Sequence, residues 1–347
     1  MIRVLVADDS PTARALLVQI LHSDRDIEVV GEAADGLEAV EMTRRLRPDL
    51  VTMDVQMPGL DGFEATREIM VGWPTPIVVV TGGLDKAEVS ISMLALREGA
   101  VCALRKPPGP GAPEYVHESR QLIETVKAMS QVRVVRRARP LTERPAARPA
   151  PAVASASQGR IVALASSTGG PAVLHHLLTA LPADFPAPIL VVQHMTAGFT
   201  AGLVAHLKGS SPLRVKMAEA GDRLAPRTVY LAPEGRHLGV ADRTMVSLSS
   251  APPVSGFRPS ATVLFESVAR AFGAATVAAI LTGMGEDGVA GLRAVKQAGG
   301  RVVAQDKETS VVFGMPGAAI AAGLADRVLP LGGLAAELVT LVCGGSA

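Results

Sequence analysis

Three short strings in the second half of the chain carry residue types that do chemistry: SSTGG (Ser166 to Gly170), QHM (Gln193 to Met195) and GMGEDG (Gly283 to Gly288). Each follows an apolar, β-branched run that reads as a buried strand: Ile161 to Ala165, Ile189 to Val192, and Thr276 to Leu281. Open α/β sheets build their sites at the carboxyl ends of their strands, so Ser167, His194 and Asp287 should meet above one sheet edge. A serine, an imidazole base and a carboxylate to orient it are the parts of a hydrolytic triad. A second acidic set, Asp8, Asp9 and Asp54, closes apolar runs in the first half in the same way.

Taken singly, these strings stay ambiguous. SSTGG, with Thr168, Gly169 and Gly170 turning into a helix near Pro171, suits the approach of a substrate carbonyl and equally a phosphate. GMGEDG is also a G-x-G-x-x-G string between a strand and a helix, and Asp306 ends the next strand about where a ribose-binding acid would lie. Electrostatics opposes that dinucleotide reading, because Glu286 and Asp287 would put two negative charges in a loop meant to cradle a pyrophosphate.

Positioning these loops takes two α/β units. The 347 residues, 48% of them hydrophobic, exceed one ordinary domain and suffice for two cores. Only 3% are aromatic, which suits closely packed, mostly parallel α/β layers. Lys plus Arg total 34 against 33 for Asp plus Glu, so no basic field draws the chain to nucleic acid. Neither Cys102 nor Cys343 has metal-ligand spacing, and a reduced cytoplasm is expected. The chain enters a strand at once, which leaves no signal peptide. The uncharged stretches from Ile161 to Ala183 and from Phe185 to Leu207 are broken by glycines, prolines and His194, so no membrane span is expected.

In the first half, strands are predicted at Arg3 to Ala7, Glu28 to Ala33, Leu50 to Met53, Ile77 to Thr81 and Val101 to Leu104. Helices fill the intervals, as from Pro11 to His22 with Ser10 as N-cap. Val132 to Ser157 breaks this pattern with four prolines among six arginines and reads as a tether. As a coil of about 26 residues it would span roughly 30 Å. The expected division is residues 1–130, a (βα)5 domain; 131–158, a linker; and 159–347, a doubly wound, mostly parallel α/β domain.

Asp8, Asp9 and Asp54 at neighbouring strand ends would repel one another and invite a hard cation with oxygen ligands, for which Mg²⁺ is expected. Thr81 and Lys106 add a hydroxyl and an ammonium at the same edge. A metal, a cation and an exposed carboxylate make a phosphoryl-acceptor site.

This first part resembles a two-component receiver domain over about 125 residues. Asp54 within MDVQMPGLDG (Met53 to Gly62) matches that family's phosphorylated aspartate, Lys106 matches its lysine, and the backbone carbonyl of Gln56 would complete the metal shell. Ala103 departs from the pattern, standing where receivers often carry Tyr or Phe. The resemblance therefore implies a readout through Thr81 and the helix from Lys86 to Glu98.

The ordered strings SSTGGP, VVQHM, GFTAGL, YLAPEGRHL, FRPSATVLFESV, LTGMGEDG and AQDKETSVVFGMPGAAI resemble the catalytic domain of the chemotaxis protein-glutamate methylesterase family, known as CheB. By position Ser167, His194 and Asp287 match its nucleophile, base and orienting acid, while Ser166 is assigned no chemistry. The resemblance implies hydrolysis of glutamyl methyl esters through an acyl-enzyme and deamidation of glutamines, with no metal in the hydrolysis. The Met284 and Thr168 backbones are candidates for the oxyanion hole. Chemoreceptors are the implied substrate and a chemotaxis histidine kinase the implied phosphodonor. The chain departs from the pattern at Thr196, where Pro is frequent, at Ala261-Thr262, where Val-Asp is common, and at Glu286. None of these removes a triad group. A receiver with a DNA-binding output is disfavoured, because no helix-turn-helix pattern or basic recognition face follows. A receiver-gated dehydrogenase is the enzyme alternative.

Overall fold

The computed structural model describes residues 1–82, 86–132, 134 and 159–344, apart from the side chains of residues 86–90 and 97. The expected tether lies almost wholly outside the described residues. Two compact units, Met1–Pro145 and Ala146–Ala347, are described separately.

The first unit alternates strand and helix: β1 (Ile2–Ala7), α1 (Pro11–His22), β2 (Ile27–Ala33), α2 (Gly36–Leu46), β3 (Leu50–Met53), α3 (Gly62–Gly72), β4 (Ile77–Thr81), α4 (Lys86–Glu98), β5 (Cys102–Arg105) and α5 (Tyr115–Met129). The strands pair in parallel in the order β2-β1-β3-β4-β5. Helices cover both faces of such a sheet, so β3 and β4 are buried at every position, as their unbroken apolar runs require. Ser10 caps α1, accepting from the Ala13 N–H, with Pro11 in the first turn as the sequence predicts. β5 starts one residue later than its apolar run, at Cys102.

The second unit contains β6 (Ile161–Ser166), α6 (Gly170–Ala180), β7 (Ile189–Gln193), α7 (Thr200–Ser210), β8 (Arg214–Met217), β9 (Thr228–Leu231), β10 (His237–Val240), β11 (Val246–Ser249), α8 (Ala261–Phe272), β12 (Thr276–Ile280), α9 (Val289–Gln297), β13 (Arg301–Gln305), α10 (Met315–Ala321), β14 (Arg327–Leu329) and α11 (Leu331–Cys343). Seven strands form one parallel sheet in the order β14-β13-β12-β6-β7-β9-β8, and β10 and β11 make a separate antiparallel hairpin. The chain runs outward from β6 to β7 in one direction and returns through β12 on the other side of β6. That reversal opens a crevice at the carboxyl ends of β6, β7 and β12, where doubly wound sheets place their ligands.

The core beside that crevice is tightly fitted. Phe265 and Leu264 of α8 are fully buried together with Ile280 and Leu292. Each such side chain contributes about 1.5–3 kcal/mol by leaving water. Gly291 lets α9 press onto α8, since a Cβ there would lie 2.6 Å from the Thr262 carbonyl oxygen and 2.7 Å from the Phe265 Cβ. Among the described residues no helix is long and apolar enough to cross a membrane.

Candidate active site

Ser167 is the first residue past β6, and its amide donates to the Thr282 carbonyl at 3.0 Å. Gly169, with φ of +78°, turns the chain into α6. A Cβ on Gly283 would lie 2.7 Å from the Ser167 Cβ and 2.5 Å from the Met315 sulfur, so only glycine lets the loop after β12 close on the serine. Among the described residues the Thr168 and Met284 amides have no hydrogen-bond partner. Thr168 follows the serine just ahead of α6, and Met284 follows Gly283 on the facing loop.

Gln193, the last residue of β7, braces this arrangement. Its Oε1 accepts from the Ser166 hydroxyl at 2.6 Å, and its Nε2 donates at 2.7 Å to the carbonyl oxygens of both Ser167 and His194. One buried amide thus ties the serine's backbone to the histidine's. Both Ser166 and Gln193 lie inside the recognised strings, yet their polar side chains at buried strand ends were the only sign of this role.

His194 Nε2 lies 3.0 Å from Asp287 Oδ2. The contact is close in distance but makes no hydrogen bond, and both ring nitrogens are buried without a hydrogen-bond partner among the described residues. Catalytic hydrogen bonds are often loose until substrate is bound. Phe257 stacks on the imidazole with ring centroids 4.1 Å apart and planes 7° from parallel. A tight turn at Ser255 and Gly256, both with positive φ, presents that ring. Sequence reasoning missed Phe257, whose only signal was its place at the head of FRPSATVLFESV.

Burial alone would raise the Asp287 carboxyl, but the adjoining His194 imidazole and hydrogen bonds from the Ala261 N–H and the Ser260 hydroxyl lower it to about 2. It is therefore a firm carboxylate beside the imidazole. Glu286, its neighbour, is exposed. The dinucleotide alternative fails on these contacts. Gly283 is packed against the serine, Asp287 faces His194, and the Asp306 carboxylate is engaged by the amide and hydroxyl of Thr309 in a local turn.

In the first unit, Asp8 and Asp54 are buried past the ends of β1 and β3, and Asp9 is exposed beside them. One carboxylate oxygen from each lies within 4.8 Å of the others. Lys106, past β5, reaches Asp54 Oδ2 at 2.7 Å and Asp8 Oδ2 at 2.8 Å. Burial disfavours the ammonium, but hydrogen bonds and charge from Asp54 and Asp8 outweigh it and hold the Lys106 pKa above its ordinary value. Burial pushes the Asp54 carboxyl up to about 6 despite the lysine, with Asp8 adding repulsion. Three carboxylates gathered in this way, one of them the buried Asp54 with a raised proton affinity, fit a hard divalent cation. Thr81 is fully buried at the end of β4, where its carbonyl accepts from the Lys106 amide at 2.8 Å. Gln56 sits with an exposed side chain in the turn after Asp54.

Residues 162–338 match the CheB methylesterase family, and residues 4–112 match the response regulator receiver domain. Protein-glutamate methylesterase/protein-glutamine glutaminase 4 of Myxococcus xanthus is 54% identical over 345 residues, covering 99% of this chain and 98% of that protein. Protein-glutamate methylesterase/protein-glutamine glutaminase 3 of Anaeromyxobacter dehalogenans is 54% identical over 330 residues, covering 95% of this chain and 96% of its own. The crystal structure of the Thermotoga maritima CheB methylesterase catalytic domain is 44% identical with a TM-score of 0.52, covering 53% of this chain and 99% of that one. The chain belongs to the CheB methylesterase family and carries a response regulator receiver domain ahead of the methylesterase domain.

Proposed function

We propose that this chain hydrolyses methyl esters of glutamyl residues on chemoreceptors, releasing methanol, and deamidates receptor glutamines, in the cytoplasm and under control of its receiver. In this reading Ser167 attacks the ester carbonyl while His194 takes the hydroxyl proton. The Thr168 and Met284 amides hold the oxyanion. His194 then returns the proton to the departing methoxide, leaving an acyl-enzyme, and water attacking through the same base releases the glutamate. With a glutamine side chain the leaving group is ammonia. Asp287 fixes the imidazole's orientation and stabilises its cationic form. This chemistry uses no metal.

The observation that carries the reading is the His194–Asp287 pair at 3.0 Å, on a loop tied through Gln193 to the backbone of Ser167.

For the receiver, Asp54 is the proposed phosphoryl acceptor, with Asp8, Asp9, Asp54 and the Gln56 carbonyl as ligands of Mg²⁺. That ion, when bound, neutralises charge on the transferring phosphoryl group. Lys106 offers its ammonium to the same group, and Thr81 adds its hydroxyl. A histidine kinase of the chemotaxis system is the proposed donor. Phosphorylation changes esterase activity only by as much as it favours the active arrangement over the inhibited one. The division at 1–130, 131–158 and 159–347 gives the two activities separate bodies. Incubating the full chain with methyl-labelled receptor membranes, with and without a small phosphodonor, tests both halves. Labelled methanol that rises with phosphodonor is expected, and none in either condition would overturn the reading.

A further inference from the structure

The orienting acid of the triad is itself held by the start of a helix that lies elsewhere in the sequence. Asp287 Oδ1 accepts from the Ser260 hydroxyl at 2.8 Å and from the Thr262 amide at 3.1 Å, and Oδ2 accepts from the Ala261 amide at 2.7 Å. With His194 at 3.0 Å from Oδ2, both oxygens have two neighbours. Four acceptor sites are what a carboxylate offers.

Ser260 occupies the N-cap position of α8 with extended backbone, yet it makes no side-chain capping bond to its own helix. A serine there ordinarily accepts from an amide of the first turn. Here the carboxylate of Asp287 accepts from those amides instead, and Ser260 turns its hydroxyl around to donate to it. The exchange places a negative charge at the positive end of α8, which stabilises the ionised form. The loop is stitched a second time by the Gly288 amide, which donates to the Thr262 hydroxyl at 2.9 Å. Ser260 is held in turn from behind, its own amide donating to Nδ1 of buried His237 at 3.2 Å, while His237 Nε2 meets the Pro252 carbonyl at 3.1 Å.

We infer that Ser260 is a positioning residue of the esterase, acting only through Asp287: its hydroxyl fixes which carboxylate oxygen faces His194 and keeps that carboxylate from rotating. The inference rests on the triad reading above. Ser260 is fully buried with its hydroxyl turned to Asp287, so it acts on the reaction through that carboxylate. Its removal should leave binding intact and slow the chemical step. Losing a bond that holds a catalytic group in place is costly, since a misplacement of about 1 Å slows the step on the order of 10²-fold.

The test is a double-mutant cycle on the full chain with methyl-labelled receptor membranes. Ser260→Ala should lower kcat by about ten-fold or more with KM within about two-fold of wild type. In an Asp287→Asn background the same substitution should cost less than about two-fold, because the group it acts through is already disabled. Equal losses in both backgrounds, or a wild-type kcat for Ser260→Ala, would overturn the inference. If Ser260→Ala does not fold, as judged by its thermal melt, Ser260→Cys, similar in volume and a weaker donor, takes its place in the same cycle. Ser167→Ala, run alongside, separates the two ideas: activity surviving there sinks the triad itself, whereas its loss together with additive Ser260 effects sinks only the positioning role.

Discussion

The Ser166 hydroxyl donates to Gln193 Oε1 at 2.6 Å, and this contact decides which end of the Gln193 amide faces the site. With Oε1 so held, Nε2 is left to join the Ser167 and His194 carbonyls. A Cβ on Gly170 would sit 1.9 Å from Oε1, so only glycine there leaves room for the amide. The serine that precedes the nucleophile is thus a structural clamp. Ser166→Ala should keep the fold and lower methanol release by roughly ten-fold, because small displacements of a nucleophile from its base are costly. A rate equal to wild type would show that the clamp is unnecessary.

Asp287→Asn should lose roughly 10⁴-fold in rate, since an amide there favours the wrong imidazole tautomer, while Glu286→Gln changes little. Stability should follow pH in a defined way. The folded value of Asp287, about 2, lies below the ordinary 3.8. Its contribution is then fully present above 3.8 and lost as pH falls through about 2. Melting curves of wild type and Asp287→Asn should differ at neutral pH and converge on acidification. A larger rate loss for Glu286→Gln than for Asp287→Asn would shift the acid by one residue.

Gly283→Ala tests how closely the two loops must approach. The added methyl would meet the Met315 sulfur at 2.5 Å and the Ser167 Cβ at 2.7 Å. Relieving that clash moves the nucleophile, and a displacement of about 1 Å costs on the order of 10²-fold. Methanol release should fall by about that much while phosphodonor labelling of Asp54 is unchanged. An unimpaired esterase would mean that Ser167 does not act from this position.

At Asp54 the sign reverses. Its folded value, about 6, is above 3.8, so the stability linked to it is full below 3.8 and lost as pH rises through about 6. Asp54→Asn, which carries no charge to desolvate, should melt above wild type at neutral pH and alike in acid. Millimolar Mg²⁺ should raise the wild-type melting temperature and narrow that gap, as a ligand of the folded state does. The substitution should also block labelling by a phosphodonor and any activation that follows. Identical melting curves across the pH range would refute the burial of an ionised Asp54 on which this pH dependence rests.

Legibility from sequence followed the range of the interactions. Strand ends were readable because buried parallel strands are unbroken apolar runs, and Asp8, Asp54, Thr81 and Lys106 each stand where such a run stops. Ser167 and His194 directly follow β6 and β7 and were readable for the same reason, whereas Asp287 was legible from its place in the loop after β12. β8 to β11 were not assigned, because runs such as His237–Val240 and Val246–Ser249 are only four residues long and mix glycine and serine with apolar positions. The roles of Ser260 and Phe257 depend on Asp287 and His194, which lie 27 and 63 positions away in the numbering. Propensity and local spacing carry no information at such separations. At the start of α8 the first-turn amides are taken not by Ser260 but by a carboxylate from another loop, which local sequence does not show.

The nucleophile is the point on which the whole account turns. Methanol release from methyl-labelled receptor membranes should be measured for wild type and Ser167→Ala, with phosphodonor present and with melting curves confirming that both are folded. The account predicts a loss on the order of 10⁶-fold for Ser167→Ala, as for other triads deprived of their serine. Release at the wild-type rate by folded Ser167→Ala would contradict it.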